Sequence, residues 1–287
     1  MSETSDYVAL LGVKGGPSLR PGSNMPTSSL VSIGGRNIVI DAGLGVTRGL
    51  CDQEVDLREI DAVFITHLHS DHYLELGPLI HTAWTSGLDR SMSIFGPPGI
   101  EKYWRYFMTS MRADIRLRIA DEGRYDLGKL IDIHVIDEGM IFEQDGLMAS
   151  AMRNHHPPIE DSFAYRFETD SSTICFSGDT TYIDKMVDFA EDADLLIHEV
   201  MLTEAIDAIM ERQTNGDDRL REHILKSHST AEEAGRVAQA AGVKGLALNH
   251  YIPDGIPGFD DVDWIQAVRR SWAGPLIIGK DGLRIEL

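Results

Sequence analysis

Cysteine is nearly absent from this chain of 287 residues, with Cys51 and Cys175 the only two. Two thiols cannot build a disulfide framework. Cys175 stands in the strand-like run Thr173-Ile174-Cys175-Phe176, where a buried, inert thiol is expected. Long apolar runs are missing as well. No stretch approaches the ~20 residues that a membrane-spanning helix needs. No apolar segment follows the acidic start Met1-Ser2-Glu3-Thr4-Ser5-Asp6, so a secretory signal is not expected and a cytoplasmic protein is. Basic charge is also scarce: 26 Lys and Arg face 46 Asp and Glu, a net charge of −20. That imbalance opposes electrostatic capture of RNA, DNA or an anionic membrane, while leaving room for a local basic groove.

What remains is an ordinary globular composition, 43% hydrophobic and 25% charged, long enough to bury a sizeable core. Strands are predicted at Tyr7–Val13, Ser29–Ile33, Asn37–Ile40, Ala62–Ile65, Ile131–Ile136, Phe163–Phe167, Ile174–Ser177, Leu195–His198 and Pro275–Ile278. Helices are predicted at Val55–Ile60, Glu101–Met111, Tyr182–Ala190, Thr203–Arg212, Thr230–Ala241 and Val262–Ser271, with a Gly/Pro/Ser-rich loop over Gly15–Pro26. Glu101–Met111, holding Tyr103, Trp104, Tyr106 and Phe107, is too apolar for a free surface and predicts core packing or a homodimer interface. After it comes a charged stretch read as irregular. Strands alternating with helices define a layered α/β protein. No linker interrupts the chain, so residues 1–287 read as one domain.

The chemistry is concentrated just beyond strand ends. His67, His69, Asp71 and His72 form H-x-H-x-D-H directly after the apolar run Ala62–Ile65. A tight loop of this kind can present His67 and His69 to one metal ion, with Asp71 and His72 facing a second. Imidazole and carboxylate donors without thiolate suit Zn²⁺, and also Mn²⁺ or Fe. Further donors follow: the proline-stiffened turn Asn154-His155-His156-Pro157-Pro158, then Asp179 after Phe176-Ser177-Gly178, and His250 after Leu246-Ala247-Leu248-Asn249. Asp41 and His67 close strands in the first half of the chain, as Asp179 and His250 do in the second. That faint symmetry suggests a duplicated unit. Ser229-Thr230-Ala231-Glu232-Glu233 carries capping-box spacing, so His228 stands just ahead of a helix. His81, His134, His198 and His223 read as structural.

These residues, in this order, resemble the metallo-β-lactamase superfamily. Ser177-Gly178-Asp179-Thr180, Leu196-Ile197-His198-Glu199 and His228-Ser229-Thr230 are similar to its ribonuclease Z-like branch. The resemblance runs from about Leu30 to His250 and implies an αββα sandwich with a binuclear centre of two divalent metal ions, Zn²⁺ foremost. It implies His67, His69, one of His155 and His156 (His156 preferred), and Asp179 on one ion. Asp71, His72, Asp179 and His250 would hold the other, with Asp41 ordering the loop. A metal-bridging hydroxide would be the nucleophile, oriented by Asp71. His228 would lie beside the scissile group with Glu199 orienting it. Tyr182 matches a carbonyl-polarising tyrosine found at the same offset in lactonases of the superfamily.

Substrate is inferred by subtraction. Ribonuclease Z proteins carry a long arm between the third metal motif and the bridging aspartate, and His156 to Asp179 is only 23 residues. With the acidic charge and Tyr182, this predicts a small-molecule ester or lactone as substrate and makes nucleic acid an improbable partner. The alternatives are a ribonuclease Z-like phosphodiesterase or a hydrolase of sulfate esters or cyclic amides. Arg20, Arg36, Lys185 and Arg221, which a phosphate grip would draw on, are scattered along the chain.

Overall fold

In the run Ala62–Ile65 alternate side chains serve opposite faces. Ala62 and Phe64 join one apolar cluster, and Val63 and Ile65 another. Tyr7–Leu11 does the same, with Val8 and Leu10 on one side and Tyr7, Ala9 and Leu11 on the other. A strand apolar on both faces is stable only with cover on both. The computed structural model, which describes residues 6–212 and 214–287, shows that cover. The first five residues, part of the start read above as lacking a secretory signal, lie outside the described residues.

Two seven-stranded sheets pack face to face. The first takes β1 (Tyr7–Gly12), β2 (Ser28–Ile33), β3 (Arg36–Ile40), β4 (Ile60–Phe64), β5 (Met92–Gly96) and β6 (Ile131–Val135). The second takes β7 (Gly139–Gln144), β8 (Leu147–Arg153), β9 (Phe163–Glu168), β10 (Thr173–Phe176), β11 (Leu195–Met201), β12 (Leu246–Ile252) and β13 (Leu276–Ile278). β14 (Leu283–Glu286) returns to pair with β1. The orders are β14-β1-β2-β3-β4-β5-β6 and β13-β12-β11-β10-β9-β8-β7. In each sheet four antiparallel strands lead into a parallel set, β3 to β6 and β10 to β13. The faint internal repeat is thus a repeat of sheet topology. Between the sheets Phe64 stacks on Phe95 at 4.5 Å and meets Tyr165 and Phe167 edge-on at 5.4 and 5.1 Å. Burying each such ring contributes roughly 1.5–3 kcal/mol.

Helices α1 (Val46–Asp52), α2 (Ser70–Tyr73), α3 (Leu76–Thr85), α4 (Ile100–Ser110) and α5 (Arg112–Glu122) lie on the first sheet's side of the sandwich. α6 (Asp184–Phe189), α9 (Ala231–Ala241) and α10 (Asp261–Val268) cover the second. The architecture is the expected αββα sandwich. Two short helices, α7 (Ile206–Met210) and α8 (Arg219–Ser227), build a small core of their own from Ile206, Ile224, Met201 and Ile252 at the ends of β11 and β12. No helix among the described residues is long and apolar enough to cross a membrane.

Several expectations need correction. The helix expected at Val55–Ile60 is only a 3₁₀ turn at Leu57–Glu59, and the real helix there is α1. The charged stretch read as irregular is α5, which buries only Ile115 among its eleven residues and so shows little apolar period. Arg118 pairs with Asp114 and Glu122 along its exposed side, and Gly123 ends it. α4 is anchored by buried Trp104, by Phe107 and by Tyr103, whose hydroxyl accepts the Gly77 N–H, so core packing accounts for these three aromatics, while Tyr106 is exposed. Cys175 is fully buried, which pushes its thiol up to about 12.

Candidate metal centre

The site is built at the ends of β3, β4, β10 and β12, where the sandwich opens. Asp41 follows β3 at φ 59, an unusual conformation that turns its carboxylate under the next loop. There it accepts the Thr66 N–H at 2.8 Å, the Thr66 hydroxyl at 2.9 Å and His72 Nδ1 at 2.7 Å. Tyr165 donates to the Ile65 carbonyl at 2.6 Å, and the Phe163 N–H to the Thr66 carbonyl at 3.0 Å. Both sheets therefore hold the loop that carries His67, His69, Asp71 and His72. Gly43 is required beside it, because a Cβ there would lie 2.4 Å from the Asp71 carbonyl. Replacing Asp41 with Ala is expected to strand three buried donors and to destabilise the protein by roughly 2–4 kcal/mol, read from the urea midpoint.

Two donor groups result. In the first, His67 Nε2 and His156 Nε2 each lie 3.0 Å from His69 Nδ1, with Asp179 Oδ2 3.7 and 3.8 Å from the two Nε2 atoms. In the second, His250 Nε2 is 3.4 Å and His72 Nε2 3.6 Å from Asp71 Oδ2. Asp179 Oδ2 stands between them, 3.2 Å from His250 Nε2 and 3.3 Å from His72 Nε2. Gly178 permits this placement, with φ 57 and no room for a Cβ against the Phe163 carbonyl at 2.5 Å. His250 reaches it from a bulge in β12. The register to β11 slips there, so Glu199 faces Asn249 and Val200 faces Tyr251, and His250 takes φ 48.

The donor chemistry fits metal ions. His156 Nδ1 donates to the Ser227 carbonyl at 2.8 Å, so its Nε2 is a bare acceptor, yet that atom faces another ring nitrogen. One proton on His69 Nδ1 cannot serve both His67 and His156. A tetrahedral ion with bonds of about 2.0–2.1 Å sets its ligands about 3.3 Å apart, close to the spacing seen. His72 Nε2 and His250 Nδ1 are buried with no hydrogen-bond partner. Burial holds His67 well below the ordinary imidazole range and takes His156 down to about 3, so both are neutral, as ligation requires.

His228 follows α8 and is nine-tenths buried, with Nδ1 2.9 Å from Glu199 Oε2. The Thr180 N–H donates to Glu199 Oε1 at 2.6 Å. Burial, then the nearby Asp179 carboxylate, pushes Glu199 well above the usual carboxylate range, while burial lowers His228. A Glu199 proton donated to Nδ1 leaves the Nε2–H tautomer of His228 for the cavity. The capping box of α9 is the one from Thr230 to Glu233.

Of the sequence-predicted residues, the structure brings together His67, His69, Asp71, His72, His156, Asp179, Glu199, His228 and His250. His155 is exposed and outside the group. Tyr182 does not line the cavity. It precedes α6, and its ring lies beneath the Arg236 guanidinium at 5.2 Å, so it is in no position to polarise a substrate. The cavity beside the donor groups, of about 420 Å³, is lined in addition by Lys14, Arg20, Arg212 and His223. His223, read above as structural, has its ring 5.8 Å from that of His69 and 6.0 Å from that of His156. Its i, i+4 relation to Ser227, directly before His228, was the available signal. Arg36, Lys185 and Arg221 are tied to Asp145, Glu138 and Asp207 instead.

Fold and site together define a metal-dependent hydrolase of the metallo-β-lactamase superfamily, ribonuclease Z-like in its relatives. The chain belongs to the family described as Anti-Pycsar protein Apyc1, whose model matches residues 8–251. It is 29% identical over 283 residues to the ribonuclease Z of Mycobacterium marinum, covering 98% of both chains. Among solved structures, the metallo-beta-lactamase fold protein YhfI from Bacillus subtilis matches with TM-score 0.72 and 22% identity, covering 99% of this chain and 100% of that one. Human tRNase Z, short form, matches with TM-score 0.69 and 20% identity, covering 98% of each. Relatives named as ribonucleases overturn the expectation of a small-molecule substrate with nucleic acid an improbable partner. The physical error lay in the charge argument. Net charge carries no position, and cations gather at the cavity despite an acidic total.

Proposed function

We propose that this protein is a metal-dependent phosphodiesterase that hydrolyses an RNA phosphodiester. The observation that carries the reading is the meeting, in one cavity, of the His/Asp donor groups with Lys14, Arg20 and Arg212. A cationic rim of this kind matches a phosphate and has no role for a neutral ester or lactone. Arg20 Nε is buried there without a partner. The ribonuclease names of the relatives support the same choice.

Two divalent ions held by His67, His69, His156 and Asp179, and by Asp71, His72, Asp179 and His250, would supply Lewis acidity toward a phosphoryl oxygen and toward water. The remaining work falls to side chains. Water adds to phosphorus, its released proton passing to solvent, from which Glu199 is later reprotonated, and the ester P–O bond breaks, releasing an alcohol. His228 gives its Nε2 proton to the leaving oxygen, and Glu199 returns one to Nδ1 across the 2.9 Å hydrogen bond. Asp71, fixed by the Gly16 N–H at 2.8 Å, orients the attacking water. Arg20 and Arg212 hold the strand at the rim.

The test is turnover of an oligoribonucleotide beside an aryl ester and lactone panel, with and without chelator. Cleavage of the oligoribonucleotide is expected to stop on chelation and to return with Zn²⁺ or Mn²⁺. Ester or lactone turnover with the oligoribonucleotide left intact would sink the reading.

A further inference from the structure

Lys14 follows β1 and is only 2% exposed, yet no acid pairs with it among the described residues. Its Nζ donates to the Gly15 carbonyl at 2.7 Å and the Gly16 carbonyl at 2.9 Å. An ammonium has three donors, and the third is left for the cavity that Lys14 lines. A buried cation with no carboxylate in direct contact, only Asp71 and Asp254 at longer range, is incompletely compensated, so its retention asks for an anion that arrives later.

The surroundings say where that anion would sit. The Lys14 N–H bonds the Met25 carbonyl and the Gly15 N–H the Tyr251 carbonyl, at 2.9 and 3.1 Å, which locks the backbone between two segments. The Gly16 N–H holds Asp71, and a Cβ on Gly15 would come within 2.9 Å of His250 Nδ1. Lys14 is therefore set against the Asp71–His250 end of the donor groups. Two backbone carbonyls could be satisfied equally well by a neutral amide. They do not explain a charge. Burial first, then Arg20, lowers this ammonium to about 8, with Asp71 and Asp254 acting in the other direction, so it is charged at neutral pH.

We propose that Lys14 is the substrate-recognition residue of this site, binding a nonbridging phosphate oxygen at the Asp71–His250 end of the cavity. This rests on the phosphodiester reading above. It assigns Lys14 to binding and leaves proton transfer to other groups.

The experiment measures binding of a short phosphorothioate oligoribonucleotide to the metal-loaded protein over a range of salt, for wild type, Lys14→Met, Lys14→Gln and Lys14→Arg. Lys14→Gln keeps amide donors for the two carbonyls and removes only the charge. Met and Gln are both expected to raise Kd about 10- to 100-fold. They should also reduce the slope of log K against log salt by about 0.7, while Arg keeps most of it. In turnover the loss should fall on KM, with kcat nearly unchanged. Wild-type affinity and salt slope in Lys14→Gln would overturn the proposal and make Lys14 a loop brace. A fall in kcat at unchanged Kd would overturn it too. If Lys14→Met does not fold, the Gln and Arg variants decide alone. Lys14-dependent binding by a wild type that cleaves no phosphodiester would uphold the anion site and sink the reading of the previous subsection.

Discussion

Replacing Asp179 with alanine is expected to abolish metal retention and turnover together. One carboxylate oxygen, Oδ2, stands 3.2–3.8 Å from ring nitrogens of His250, His72, His67 and His156, so it serves both donor groups at once. Its removal leaves converging imidazoles with no anion among them, and burial already disfavours charge on His67 and His156. The loss of ion stabilisation at the reacting phosphate is worth several kcal/mol, on the order of 10³-fold or more in rate. Metal analysis by mass spectrometry of the purified variant reads the first effect, and oligoribonucleotide cleavage the second. Replacing His69 with alanine should act in the same direction. Full turnover by a metal-free variant would refute the assignment.

Replacing His228 with asparagine is expected to lower kcat by about 10²–10⁴-fold while both ions stay bound, since positioned proton transfer contributes that much. The dependence on leaving group separates this role from simple structural support. An RNA alkoxide needs a proton as it departs, whereas p-nitrophenolate does not. Cleavage of bis(p-nitrophenyl) phosphate should therefore fall far less than cleavage of an oligoribonucleotide. Glu199→Gln should follow the same pattern more weakly, about 10- to 100-fold, because Glu199 acts through the Nδ1 hydrogen bond. Equal losses on the two substrates would show that His228 supports the site without supplying the proton.

The His223 ring, which α8 turns toward His69, shows how unevenly the site was legible. The H-x-H-x-D-H loop could be read from sequence because its donors lie within six residues of one another and directly follow an apolar strand. Asp179 could be read because Ser177-Gly178 mark a turn at a strand end. His223 gave no such cue: its ring meets those of His69 and His156 only because α8 folds across the opening. Strands β7 and β8 were also missed. β7 is an edge strand with Met140 exposed, and β8 buries the small Ala149 and Ala151, so neither has a strong period of two.

By itself the sequence determined a layered α/β protein, through strands alternating with helices, and the order of metal-binding residue types behind the strands, while the αββα form was implied by the resemblance those residues carry. Both depend on spacing along the chain, which a linear reading preserves. Only the tertiary structure decided that His156 faces the donor groups while His155 stays at the surface. It also turned Tyr182 toward Arg236 and aimed His250 from a bulge. Above all it decided the charge the cavity presents. Coulomb interactions depend on distance in space and are screened within about 8–10 Å, so a total of −20 says little about one opening. Arg212 is far along the chain from Lys14 and Arg20, and the three share one cavity because the loop after β1 and the segment following α7 both line it.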